Sequence, residues 1–95
     1  MAAYVVVEIE VTDPERYARY REIAPALVAA FGGRYLTRGG VTETVEGTWQ
    51  PKRLVILEFP SMERIHEFYD STEYAEAKLL RQNSTNSTMV FQEGI

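Results

Sequence analysis

The stretch Arg53-Leu54-Val55-Ile56-Leu57-Glu58-Phe59-Pro60 reads as a buried β-strand. Val55, Ile56 and Phe59 are residue types that suit a pleated, packed surface, and Pro60 ends the run because proline has no N–H to give a ladder. Glu58 is out of character there, since a carboxylate among apolar side chains is costly unless paired. Residues 3–11 repeat the arrangement. Strict alternation sends Val5, Val7, Ile9 and Val11 to one side and Tyr4, Val6, Glu8 and Glu10 to the other. Two core-type strands, each with an embedded carboxylate, are the clearest polar signal in the chain.

Between these strands the sequence punctuates itself. Thr12 or Asp13 can cap a helix, and Pro14 is tolerated in its first turn because its missing N–H has no intrahelical partner. Tyr17, Tyr20, Ala24, Leu27, Val28 and Phe31 then recur at helical spacing. Pro25 removes one helical hydrogen bond and is expected to bend the helix, which Gly32-Gly33 ends. Arg34–Arg38 reads as a second strand. Gly39-Gly40 is expected to be a bulge or bend in one long strand that resumes over Val41–Glu46. Residues 47–52 then form the turn of a hairpin with the third strand.

Downstream, Ser61 caps a helix over 62–69 and Ser71 a further helix over 72–82, on which Tyr74, Ala77 and Arg81 share a face. A polar loop over 82–87 leads to a last strand at 88–92. The order β-α-β-β-α-α-β implies a single α+β domain over residues 1–95, a ferredoxin-like sandwich. Its sheet would be four-stranded and antiparallel, with the first and third strands as central neighbours and helices on one face.

That arrangement leaves Tyr4, Val6, Leu36, Leu54 and Ile56 on the open face, which is too apolar for solvent. Burying five such side chains contributes roughly 8–15 kcal/mol gross, at about 1.5–3 kcal/mol each before association costs. The expectation is a homodimer that stacks sheet on sheet about a twofold axis. A chain of 95 residues buries only a modest share of its surface alone, which points the same way.

The net charge of −4 and the scattered Lys and Arg residues argue against nucleic acid as a partner. No cysteine is present, so neither disulfides nor thiolate chemistry are available. No apolar run reaches the roughly 20 residues that cross a bilayer. The start has no basic segment followed by an apolar one, and a cytoplasmic location is expected.

The chain resembles the small bacterial proteins of unknown function in the dimeric α+β barrel superfamily. The resemblance is carried by Asp13-Pro14 with Tyr17 and Tyr20, Gly32-Gly33-Arg34-Tyr35, Arg38-Gly39-Gly40, Glu46-Gly47-Thr48-Trp49, Glu58-Phe59-Pro60-Ser61, Tyr69-Asp70-Ser71, Tyr74, Arg81 and Glu93-Gly94. It spans nearly the whole chain and implies the ferredoxin-like fold and the dimer, but no reaction. Ile65 and Thr72 depart from the pattern, at positions where alanine and proline or aspartate are common. The wider superfamily resembled includes cofactor-free monooxygenases, lactone isomerases and haem-binding members, among which fold alone does not choose.

The candidate site is a cleft between sheet and helices that takes a small organic ligand, an aromatic or organic acid. Glu58 and Glu8 are its candidate catalytic carboxylates, as a pair in which one has a raised pKa and exchanges protons. The competing reading makes each an ion pair with Arg34, Arg38 or Arg81. Arg38 and Arg81 are candidate ligand contacts through the planar guanidinium fork, with Arg34 and Arg38 in phase with Leu36 on the second strand. Tyr74 and Trp49 complete the candidate ligand-binding set, although the first reading of Tyr74 is a core or interface anchor and that of Trp49 is packing against the partner subunit. His66, the only histidine, has no second ligand at metal spacing, so neither metal nor cofactor is expected. The alternative to ligand binding is a non-catalytic dimerisation or regulatory module.

Overall fold

The computed structural model describes all residues 1–95. The strands are β1 (Ala3–Val11), β2 (Arg34–Arg38), β3 (Leu54–Phe59) and β4 (Thr85–Glu93), and the helices α1 (Pro14–Ala30), α2 (Met62–Tyr69) and α3 (Thr72–Gln82). They form one antiparallel sheet in the order β2-β3-β1-β4, the ferredoxin-like arrangement. β1 and β3 are its centre, with Tyr4 opposite Glu58 and Glu8 opposite Leu54.

Each helix starts where a side chain satisfies an otherwise unpaired backbone N–H. Asp13 accepts from the Arg16 N–H, Ser61 from Arg64 and Ser71 from Tyr74. α1 runs unbroken through Pro25, whose neighbour Ala24 is buried. All three helices cover the same side of the sheet. Ala3, Val5, Val7 and Ile9 of β1 and Val55, Leu57 and Phe59 of β3 are buried beneath them, together with Ile65, Phe68 and Tyr74. The opposite residues Tyr4, Val6, Leu54 and Ile56 are only half-buried. Gly33 lies where α1 hands over to β2, and a Cβ there would stand 2.6 Å from the Phe59 ring and 2.8 Å from Val28 Cγ1.

Three local expectations are corrected. β2 ends at Arg38, and residues 39–53 form no strand, so there is no long bent strand; β2 and β3 do pair antiparallel as expected, but across a long loop and not a tight turn. Val41–Glu46 alternates as a strand does, but no strand of its own chain pairs with it. β2 is also bulged: Tyr35 faces Leu57 and Thr37 faces Ile56, so Leu36 is the extra residue. The Thr37 hydroxyl accepts the Ile56 N–H at 3.1 Å, which fixes the bulge. Beyond it the phase is inverted, and Arg38 aligns with the buried Val55 and no longer with Arg34. Finally, β4 begins at Thr85 because it pairs with β1 along the whole length of that strand, from Ala3–Glu93 to Val11–Thr85.

Candidate functional site

Between the covered face of the sheet and the helices lies a largely enclosed cavity of about 40 Å³. That is room for about three waters at the 10–15 Å³ each requires. Nineteen residues line it, and fifteen are apolar or aromatic. The other four are all arginines: Arg21, Arg38, Arg53 and Arg81. No carboxylate, amide side chain or histidine takes part. The ion pairs of the molecule join Arg16 to Asp13, Arg34 to Glu58, Lys52 to Glu10 and Arg64 to Glu67, so none neutralises a cavity arginine.

α3 supplies the deepest cation. Tyr74, Ala77 and Arg81 fall on one helical face and are all buried, Arg81 to 4% exposure. Arg81 Nε donates to the Tyr74 hydroxyl at 3.4 Å, and that hydroxyl shares a 2.8 Å bond with the hydroxyl of Tyr20 on α1. The Tyr20 ring stacks on Tyr17 with centroids 5.9 Å apart, which holds it in place. Burial pushes the Tyr20 phenol far above its ordinary range, Tyr74 adds to the shift, and Arg81 only partly opposes it. Burial also lowers the Arg81 pKa, but attraction to Tyr74, Tyr20 and Tyr69 outweighs it, and the net shift is upward. The guanidinium therefore stays charged at neutral pH.

The other arginines ring the opposite corner, where α1, β2 and β3 meet. Arg38 lies over the Tyr35 ring, 4.8 Å from its centroid. Burial raises the Tyr35 phenol, with Arg38 pulling it part of the way back. Arg53 Nε donates to the Tyr17 hydroxyl at 3.2 Å. Its guanidinium crosses Gly39, where a side chain would collide with it. Gly39 also has φ of +74°, a conformation other residues rarely adopt.

Among the candidates from the sequence, Arg38, Arg81 and Tyr74 meet in this cavity. Glu58, Glu8 and Trp49 do not. Alternation puts both carboxylates on the open face, and four residues of strand separate them, about 13 Å at 3.3 Å per residue. They are therefore not a carboxylate pair. Glu58 accepts from Arg34 Nε at 2.7 Å and from the Tyr4 hydroxyl at 3.3 Å. Glu8 accepts from Trp49 Nε1 and from the Lys52 N–H, each at 3.3 Å. His66 is exposed and packs edge-on against Phe91. No group of three or more acidic or histidine side chains is placed to hold a metal.

The residues that sequence reasoning missed are Tyr20, Arg21 and Arg53. One signal was available for Arg21: it occupies a helical stripe otherwise formed by Tyr17, Ala24 and Val28, all of them buried. Arg53 had none, because its partner Tyr17 lies 36 residues away.

Solved structures share this architecture. A protein of unknown function from Rhodopseudomonas palustris is 18% identical with a TM-score of 0.81, over 99% of this chain and 82% of that one. A dimeric ferredoxin-like protein of unknown function from Jannaschia sp. CCS1 is 14% identical with a TM-score of 0.73, over 99% and 100%. SnoaB, a cofactor-independent oxygenase from Streptomyces nogalater, is 8% identical with a TM-score of 0.68, over 99% and 93%. At these identities the likeness establishes the fold alone. No curated protein matches the sequence. Residues 2–95 match a single family over nearly the whole chain, and the protein belongs to that family, the domain of unknown function DUF1330.

Proposed function

We propose that this protein is a cytoplasmic homodimer that binds a small organic molecule in the cavity between sheet and helices. The observation that carries the reading is the lining itself: fifteen apolar or aromatic residues and four arginines without a carboxylate partner. Apolar walls with a few convergent polar groups are the usual chemistry of a ligand site, and a volume of about 40 Å³, well below the roughly 300 Å³ of a drug-sized pocket, confines the ligand to a few heavy atoms. Arg81, Arg38 and Tyr74 are the proposed contacts. Glu8, Glu58 and Trp49 belong in this reading to the sheet-to-sheet interface, beside Tyr4, Val6, Leu54 and Ile56. Val41–Glu46 supports the dimer, as an exposed segment with a strand's pattern and no strand partner in its own chain.

Native mass spectrometry of freshly purified protein tests both halves. The expected result is a dimer with a reproducible small adduct released on denaturation. A monomer without adduct overturns the reading.

Turnover without a cofactor, of the kind named for the Streptomyces oxygenase, is a second reading. Arg81 favours it, because a buried, preorganised cation stabilises negative charge developing on a bound substrate. Oxygen uptake with a candidate ligand, lost in Arg81→Met, tests it.

A further inference from the structure

We propose that the cavity selects ligands that only accept hydrogen bonds, a compact organic carboxylate, and that Tyr20 donates the hydroxyl proton that recognises it alongside Arg81. The inference rests on the cavity-binding reading above and specifies its chemistry.

Proton counting carries it. Every polar lining group is an arginine or a tyrosine. Guanidinium groups are donors only, and a phenol has one proton to give. Two of the five lining tyrosines already accept from an arginine: Tyr17 from Arg53, and Tyr74 from Arg81. Tyr20 and Tyr74 together carry two hydroxyl protons. One is used in the 2.8 Å bond between them, and the other has no acceptor in the protein. Because the Tyr74 oxygen already receives Arg81 Nε, we assign Tyr74 as the donor to Tyr20, which spares that oxygen a second donor. The Tyr20 proton is then free to point into the cavity. Arg81 is 4% exposed, carries its charge and has no anion beside it. A carboxylate supplies what this set lacks, with two oxygens that accept from Arg81 and Tyr20 and no proton of its own. An amide of the same shape presents an N–H₂ group to the Arg81 and Tyr20 donors. A buried donor facing another donor is left unpaired, and such mismatches discriminate strongly. The cavity's 40 Å³, room for about three waters, limits the remainder of the ligand to one or two carbons.

The test compares formate and acetate with formamide and acetamide on the full-length protein, by calorimetric titration at millimolar ligand. The expected wild-type result is that at least one acid binds roughly tenfold or more tightly than its amide, the ratio set by one charge-assisted bond. Tyr20→Phe keeps the ring and its stacking, and is expected to weaken that acid by a similar factor while leaving the amide unchanged. Arg81→Met should abolish acid binding. Equal binding of acid and amide overturns the donor-only rule while leaving the cavity reading standing. An unaltered acid affinity in Tyr20→Phe overturns the assignment of Tyr20. Binding of neither acids nor amides overturns both readings together. Circular dichroism of each variant checks that it is folded, and Tyr74→Phe, which leaves the Tyr20 hydroxyl in place, provides a second route should Tyr20→Phe not fold. It removes Arg81's acceptor and is expected to weaken the acid less than Arg81→Met does.

Discussion

Replacing Arg81 by methionine should leave the protein as stable as before or more so, although the residue is almost fully buried. Its side chain makes one polar contact, the 3.4 Å bond to Tyr74, which is longer than the common N–H···O distance. No carboxylate compensates the charge. Substituting buried charges by apolar residues of similar volume is often worth about 1–4 kcal/mol in stability. Against that stand the weak bond to Tyr74, about 1 kcal/mol, and the favourable place of a cation in the last turn of α3, about 0.5 kcal/mol. Tyr74 keeps its bond to Tyr20, and the Arg81 carbonyl still accepts from Ser84 and Thr85. The balance runs from about −0.5 to about 2.5 kcal/mol in favour of Arg81→Met. In a domain of this size that raises Tm by up to about 10–20 °C, at roughly 4–8 °C per kcal/mol. Urea and thermal unfolding followed by circular dichroism, at matched protein concentration, measure it. A loss of more than about 1 kcal/mol would refute the reasoning, since it would mean that the guanidinium has a stabilising partner at this site.

Gly33→Ala should destabilise by about 1–3 kcal/mol through overpacking, because its Cβ falls within 2.8 Å of the buried Phe59 and Val28 side chains; an unchanged urea midpoint would contradict that packing. Of the six tyrosines, Tyr20 and Tyr35 should fail to ionise with the others in the folded state. Their folded pKa values lie above the unfolded value of 10.0, so the stability they contribute is complete below pH 10 and declines as the pH rises past it; an absorbance titration in which all six ionise together before unfolding would disprove this. Val6→Asp, set against the cross-strand neighbour Ile56 on the open face, should give a folded monomer by light scattering, and a persistent dimer would move the interface elsewhere. Glu58→Gln should leave ligand binding intact and cost under about 1 kcal/mol, because the Arg34 partner is largely exposed.

The central strands were legible because burial on one face imposes a period of two, which β3 keeps throughout and β1 keeps from Ala3 to Ile9; at the end of β1 the expected Val11 is exposed. Helix starts were equally legible, since each depends on a capping side chain next to it in sequence. What was hidden depends on pairing between distant segments. The bulge at Leu36 requires Thr37 to meet Ile56, and nothing within Arg34–Arg38 announces it. Asn86-Ser87-Thr88 has weak strand character, yet it is drawn into β4 because Glu8, Ile9 and Glu10 offer a free ladder edge. Val41–Glu46 has the pattern of a strand but no strand partner in its own chain, so pattern alone misassigned it. The cavity tyrosines read as ordinary core, because a hydroxyl's partner 54 residues away leaves no local trace.

The bulge also decides which side of the sheet receives charge. Without it, Arg38 would share the face of Arg34, and the carboxylates of β1 and β3 would meet both arginines of the edge strand β2 on the open side. One extra residue turns Arg38 toward Tyr35 and the cavity while Arg34 remains with Glu58. The two faces thereby acquire opposite chemistry. The open face pairs its carboxylates with donors from the same face: Arg34 and Tyr4 for Glu58, Trp49 and the Lys52 backbone for Glu8. The covered face collects arginines and phenols with no carboxylate at all. A face whose charges are balanced within one chain can meet a second copy of itself without leaving a charge unpaired. On the proposed reading, the unbalanced buried cation of the covered face is offset by a ligand that brings negative charge.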